Sequence, residues 1–484
     1  MIASDSRSKL SRTLIARVGL VDRWIADASQ VRDRTRPLAW FHAPSVGEGL
    51  QARPIIEALR RARPEVQIAY SFFSPSAESF AKTLPVDIAN YLPFDSDADA
   101  HALMDALAPT ALFFVKLDVW PKLVSVAKRK GVRVGLLSGT VAPASRRQGT
   151  LSRAILHEAY AALDVVGAID AANGERLRGL GVANDRLCVS GDTRFDQVWK
   201  RAEAVDRQSA LLRALQSDQP TLVAGSTWPA DEAVLLAAWP HVKRRVANAR
   251  LIIAPHEPTP EHLQPILEWA REQELSVALL RELVEPNAAK VTSTAPATVT
   301  ATATLTAAAT ATATATPTPT PTATATLEAT AAPTPTAIAA APAPATARAN
   351  PDLIFVSNSG STNVDVVVVD RVGVLGDIYA VADVAFVGGA FHTAGLHSVL
   401  EPAAYGVPVV FGPSHSMSRE AGLLLQQDGA RSVATREQCE AVIVEWLANK
   451  NARAMSGARA KEFVQSELGA ADRSLQLVLR AITR

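Results

Sequence analysis

Residues 387–413 read VGGAFHTAGLHSVLEPAAYGVPVVFGP, and the fold is decided by how this stretch is parsed. With the residues before it, ADVAFVGG (382–389) is a short apolar strand ending in the paired glycines Gly388 and Gly389. A short apolar run bounded by a turn signal suits a strand buried in a parallel sheet. FHTAGLHS (391–398) is a turn of small residues containing Gly395, expected to deliver His397 to the start of a helix, with Glu401 one turn later. Residues four apart share a helix face, so His397 and Glu401 are expected to point at one ligand. The glycine amides and the helix N-terminus suit a phosphate. VPVVFG (407–412) is a second strand, closed by Pro413. Open α/β sheets bind their ligands at such strand-to-loop ends.

Outward from this stretch, strand-like and helical runs alternate. LAWFHAP (38–44) precedes GLQARPIIEALRRA (49–62), VQIAYSFF (66–73) precedes SAESFAKTL (76–84), and TALFFVKL (110–117) precedes WPKLVSVAKRKG (120–131). VRVGLLS (132–138), LDVVGAID (163–170) and LCVSGD (187–192) follow. This alternation predicts parallel βαβ units. A charged helical linker near Gln197–Ser217 leads to a second series, TLVAGST (221–227), LIIAP (251–255), VDVVVVD (364–370) and the two strands above. The expectation is an α/β protein of two Rossmann-like domains facing across a cleft, over residues 37–205 and 218–484, with an amphipathic segment at 1–36. The last helix is expected to pack back on the first domain. The cleft between such halves is the natural active site.

Residues 291–349 are rich in Thr, Ala and Pro and interrupt the second domain. Ala offers too little apolar area to repay chain ordering, so a disordered or polyproline-like loop is expected there. Closing a loop of that length costs only a logarithmic increment of entropy.

Composition narrows the classes. The 484 residues are 48% hydrophobic and 20% charged, ordinary for globular α/β proteins. Lys plus Arg number 49 against 48 for Asp plus Glu, and a net charge of +1 gives no support for nucleic-acid binding. Cys188 and Cys439 are the only cysteines, which excludes a disulfide framework and a zinc knuckle. No run of about 18 apolar residues predicts a membrane span. Near the start, Leu10, Leu14, Ile15, Val18 and Trp24 form a potential apolar helical stripe beside Lys9, Arg12, Arg17 and Arg23. Such a stripe fits an interfacial helix or a helix packed on its own domain.

Three segments carry residues with two readings each. Ser45 and Glu48 have the S-x-x-E spacing of a capping box, while Glu48 is also a carboxylate able to take a proton in the cleft. Ser226 and Thr227 close TLVAGST ahead of a helix, as simple N-caps or as hydroxyls for an anion. Asp95, Asp97 and Asp99 mimic a metal-binding D-x-D pair, but their place before HALMDAL favours turn and cap roles. No metal and no cofactor are expected.

The motifs WFHAPSVGE, YLPFD, VKLDVWPKL, VSGDTRFD, AGSTWPADE, IIAPHE, the run from Asp370 to Pro413, and SREAGLLL occur in one order over roughly residues 38–470. In this set the chain resembles the 3-deoxy-D-manno-octulosonic acid (Kdo) transferases of lipopolysaccharide synthesis. That resemblance implies the GT-B glycosyltransferase architecture, CMP-Kdo as donor, a lipid A precursor as acceptor, inversion at the transferred sugar, and a peripheral place at the cytoplasmic face of the bacterial inner membrane. It implies Glu48 as catalytic base. It assigns Ser226, Thr227, His256, Gly388, Gly389, Gly395, His397, Ser398 and Glu401 to the donor, with Glu401 on ribose hydroxyls, and Ser45, Gly47 and Asp118 to the acceptor side. Arg146 and Arg147 stand apart as a basic pair able to meet lipid phosphates. The chain departs from the family pattern where Pro255, His256 and Glu257 replace Pro-Arg-His, where Leu396, His397 and Ser398 end without an Asn, and where Lys116 stands at a usually acidic position. Two other functions fit the same pattern. One is a different nucleotide-sugar glycosyltransferase or epimerase, and the other is a catalytically silent nucleotide- or lipid-binding homologue.

Overall fold

Seven apolar runs of the first half pair as parallel strands: β1 (Leu38–His42), β2 (Gln67–Phe72), β3 (Ile88–Tyr91), β4 (Ala111–Val115), β5 (Arg133–Gly139), β6 (Val165–Ala168) and β7 (Leu187–Val189). Every residue of β1, β2 and β4 is buried, as expected of strands covered by helices on both faces. The computed structural model describes residues 13, 15–142, 145, 150–285, 364–393 and 395–483, without the side chains of 150–155. The strand order is β3-β2-β1-β4-β5-β6-β7, so the chain runs outward from β1 in one direction and, after β3, from β4 in the other. Loops leaving β1 and β4 therefore diverge and open a crevice at the carboxyl end of the sheet.

The second half repeats the plan. Its strands are β8 (Thr221–Thr227), β9 (Arg250–Pro255), β10 (Val277–Leu279), β11 (Val366–Val368), β12 (Val384–Val387), β13 (Val409–Phe411) and β14 (Ala430–Ser432). All are parallel in the order β10-β11-β9-β8-β12-β13-β14, which places the reversal between β8 and β12. Two such sheets flanking a cleft are the two-Rossmann arrangement that the alternation predicts and the GT-B-like architecture that the resemblance implies. The Thr/Ala/Pro-rich stretch lies between β10 and β11, outside the described residues, as do Arg146, Arg147, Lys9, Leu10, Arg12 and Leu14.

Two crossing segments join the sheets. The helix Thr193–Ala204 sends Phe195 and Val198 into a core with Val399, Leu400, Phe411 and Phe463 of the second half. At its other side the Thr193 hydroxyl donates to the Gln51 carbonyl at 2.8 Å. Arg194 pairs with Asp192 at 2.6 Å and with Glu420 at 2.8 Å. The last helix, Ala470–Ile482, returns to the first half and buries Leu477, Val478 and Ile482 among the residues of its core. Asp196 fixes its start by accepting the amides of Gly469 and Ala471 at 2.7 and 3.0 Å.

Near the N-terminus, the helix Leu20–Val31 buries Leu20, Trp24 and Ala28 in the first half, and the Trp24 indole donates to the Tyr91 carbonyl at 2.8 Å. Trp24 is thus a core residue, while Ile15 and Val18 are exposed. Among the described residues no helix is long and apolar enough to cross a membrane. In FDSDADA, Asp95 acts as a cap and Asp97 as an ion-pair partner, while Ser96 caps the helix that carries Asp99. Asp95 accepts the amides of Lys122 and Leu123, each at 2.9 Å, at the start of the helix Pro121–Arg129. Asp97 pairs with Lys122 and Arg129, and the Asp99 amide donates to Ser96.

Candidate functional site

At the crevice of the first sheet, the helix Val46–Ala62 follows β1, and Ser45 precedes it with extended φ/ψ of −136° and 177°. A reciprocal capping box does not form. The Ser45 hydroxyl makes no bond to a helix amide and instead donates to Glu48 Oε2. The other carboxylate oxygen, Oε1, accepts from Lys116 Nζ at 2.9 Å. Burial pushes the Glu48 carboxyl up, but the Ser45 hydroxyl and the Lys116 ammonium together outweigh it and hold the group below its ordinary range. Glu48 is therefore an ionised, half-buried carboxylate at the mouth of the crevice, beside exposed Gly47. Asp118, two residues beyond Lys116, accepts the Trp120 indole N–H at 3.1 Å.

Behind Glu48, His42 ends β1 fully buried, with Nδ1 3.0 Å from the Ser71 hydroxyl, which also accepts from the Trp40 indole at 2.9 Å. Burial pushes its imidazole down to about 4, against the opposing pull of Asp118 and Glu48. Its neutral form belongs to the folded state, so its contribution is complete above the ordinary value of 6.5 and is lost as pH falls through about 4. Denaturant titrations from pH 7 to pH 4 should show this loss, on the order of 3 kcal/mol, and His42→Gln should flatten that part of the curve.

At the crevice of the second sheet, three strand ends bring four rings together. Trp228 follows β8, His256 follows β9, and His392 and His397 lie in the loop after β12. His256 is stacked between Trp228, 4.6 Å between ring centres, and His397, 4.5 Å away, while His392 meets Trp228 edge-on at 5.0 Å. The Trp228 indole donates to His397 Nε2 at 3.1 Å. Because indole N–H can only donate, neutral His397 carries its proton on Nδ1, where it can be offered to an anion. Burial, followed by His256 and His392, depresses His397 to about 4, so the ring is neutral at physiological pH.

The loop after β12 is shaped by close backbone approach. A Cβ on Gly388 would lie 2.3 Å from the Ser226 carbonyl oxygen. Gly389 and Gly395 both have φ of 96°, a region that favours glycine. Buried Asp231, in the first turn of the helix Pro229–Arg245, accepts the amides of Trp228 at 2.9 Å, Gly389 at 2.8 Å and Phe391 at 3.2 Å. One carboxylate thus fixes the helix start and the glycine loop together.

Several expectations from sequence are corrected here. The paired glycine amides are already satisfied, Gly388 by the Gly225 carbonyl at 2.9 Å and Gly389 by Asp231. They do not await a phosphate. His397 is not at a helix start, because the helix begins at Leu400 and the His397 amide is held by the Gly388 carbonyl at 3.1 Å. Glu401 consequently does not share a helix face with it. It lies 3.7 Å from Arg201 of the helix Thr193–Ala204, and Arg201 also binds Asp377 at 3.1 Å. Burial raises the Glu401 carboxyl, with Arg201 opposing and Asp377 reinforcing. The Thr227 hydroxyl is buried and spent on Glu232 at 2.8 Å, so it is not an open anion ligand. Ser226, with φ of 53°, remains at the crevice, and Ser398 is exposed. His256, His397, Ser226 and the three glycines are brought together, and Glu48, Ser45 and Gly47 form the opposite group. Sequence reasoning passed over Trp228, Asp231, His392 and Arg201. The run AGSTWPADE held the first two, as an aromatic residue at a helix entry and an acid at its third position.

Residues 14–197 match the family described as 3-deoxy-D-manno-octulosonic-acid transferase (kdotransferase). The chain is 20% identical over 443 residues to the 3-deoxy-D-manno-octulosonic acid transferase of Haemophilus influenzae, covering 91% of this chain and 86% of that protein. It is 23% identical over 453 residues to the enzyme of the same name from Chlamydia trachomatis serovar D, covering 92% and 86%. Among solved structures, UDP-GlcNAc 2-epimerase from Neisseria meningitidis bound to UDP-GlcNAc is similar with a TM-score of 0.56 at 8% identity, over 92% of this chain and all (100%) of that one. A glycosyltransferase from Rickettsia africae is similar with a TM-score of 0.53 at 8% identity, over 92% and 98%. The structural likenesses carry the fold. The family match and the curated relatives support a family-level link to the Kdo-transferase family of glycosyltransferases.

Proposed function

Given the family-level link to the Kdo transferases, we propose that the chain transfers Kdo from CMP-Kdo to the lipid A precursor lipid IVA, with inversion and with Glu48 as general base. One observation carries this reading. An ionised carboxylate stands at the reversal crevice of the first sheet, and a cluster of neutral rings and tight glycine turns stands at the matching crevice of the second. Glu48 takes the proton of the acceptor hydroxyl as its oxygen bonds to the anomeric carbon of Kdo. The bond from that carbon to the phosphate oxygen breaks, and CMP departs with the electron pair. In this reading His397 Nδ1–H and Ser226 donate to the phosphate, and Trp228 and His256 wall the pocket. A CMP-linked sugar has one phosphate, so no diphosphate-bridging metal is required. Glu401, with its carboxyl raised by burial, is assigned to the ribose hydroxyls through reorientation from Arg201. The acceptor's lipid chains fit work at the cytoplasmic face of the inner membrane.

Incubating the purified chain with CMP-Kdo and tetraacylated lipid IVA should yield a Kdo-bearing lipid by mass spectrometry. The mass increment also counts the residues added. A second reading, a nucleotide-sugar epimerase, draws on the fold shared with UDP-GlcNAc 2-epimerase. Conversion of UDP-GlcNAc to its 2-epimer, followed by NMR, without any Kdo transfer would replace the first reading by the second. CMP binding with neither reaction would leave a silent binding protein.

A further inference from the structure

We propose that Lys116 is the positioning residue for Glu48: its ammonium, presented by a left-handed backbone at the carboxyl end of β4, clamps one carboxylate oxygen while Ser45 holds the other. The inference rests on Glu48 being the base. Lys116 has φ of 74°, a region that lysine rarely adopts. The conformation is enforced from both sides, since its amide donates to the Leu137 carbonyl at 2.8 Å and its own carbonyl accepts from Thr140 at 3.0 Å. Backbone outliers held this firmly are concentrated at functional sites. The outcome is a lysine reaching from the loop after β4 across the reversal point to a carboxylate on the helix after β1, with Nζ 2.9 Å from Oε1.

Other charged and titratable groups around that helix are engaged elsewhere or lack contact. His42 on β1 and Tyr70 on β2 interact with Glu48 only through space. Lys200 of the helix Thr193–Ala204 pairs with Glu57, and Arg53 binds Thr83. Glu78, on the helix Ala77–Ala81, accepts the Tyr91 hydroxyl at 3.0 Å. Arg473 of the last helix donates to the Ser190 carbonyl at 2.8 Å. Among the described residues Lys116 is the one cation in ion-pair contact with Glu48. Burial by itself would raise the carboxyl, and the lysine is a principal counterweight.

The test compares the full-length chain with Lys116→Met, Lys116→Arg and Lys116→Gly. The last relieves the left-handed backbone while deleting the ammonium, which keeps the comparison available should Lys116→Met fold poorly. In Lys116→Met and Lys116→Gly, kcat/KM for Kdo transfer should fall roughly ten- to a hundredfold and its acid limb should move to higher pH. Lys116→Arg should restore the limb. Independently of turnover, the carboxyl carbon of Glu48, identified in 13C spectra by its loss in Glu48→Gln, should titrate at higher pH in both deletions. An unchanged titration in both would overturn the proposal, as would an unmoved acid limb. A moved titration in a chain that transfers no sugar would instead sink Glu48 as base and leave the clamp standing.

Discussion

Glu48→Gln should lower the turnover of Kdo transfer by about 10² to 10⁴, with donor affinity changed little. The substitution keeps the shape of the side chain and an oxygen able to accept from Ser45, but removes the basic oxygen pair. It leaves Lys116 without its counterion, at slight cost, because that lysine side chain is 44% exposed. The fold should survive, and the thermal midpoint should stay within a few degrees of the parent. Steady-state kinetics with CMP-Kdo, alongside calorimetric titration of CMP, separate the two effects. A rate within threefold of the parent would show that another group takes the proton, and the reading of the first crevice would fall with it.

Gly388→Ala should disrupt the second crevice, the proposed donor pocket. A Cβ there would sit 2.3 Å from the Ser226 oxygen and 2.7 Å from Thr227 Cα, both backbone atoms that cannot rotate away. Either the loop after β12 or the end of β8 must shift, carrying His397 and Trp228 out of register. The expected cost is roughly 2–3 kcal/mol of stability and at least about a tenfold loss of CMP affinity. Gly422→Ala is the control. It lies in the helix Arg419–Gln426 with open space around it, and alanine there should be neutral or stabilising by about 0.5–1 kcal/mol. Denaturant unfolding and calorimetry of both variants decide the matter. Unchanged CMP binding in Gly388→Ala would show that the nucleotide does not use this loop.

The bridging helix Thr193–Ala204 reaches both crevices. Its Thr193 hydroxyl bonds the helix that carries Glu48, and its Arg201 pairs with Asp377 and Glu401 near the second crevice. Glu401 is legible in sequence as an acid just after the glycine loop that follows β12. Its engagement with Arg201 is not, because the partner is 200 residues earlier by numbering. The error in placing His397 has a similar origin. Helical spacing joins it to Glu401, but the His397 amide donates to the Gly388 carbonyl, its Nε2 accepts from the Trp228 indole, and the helix starts only at Leu400.

By itself the sequence determined the two parallel sheets, because strands buried on both faces must be continuous apolar runs and their crossovers must be amphipathic helices. It also placed the candidate residues at strand ends, since glycines and turn residues mark where each strand stops. Only the tertiary structure decided which of those residues act on one another. Glu48 meets Lys116, Asp231 grips Gly389, and His256 lies between Trp228 and His397. These contacts join segments tens to more than a hundred residues apart, and they exist because strand order, not chain order, sets which loops are neighbours.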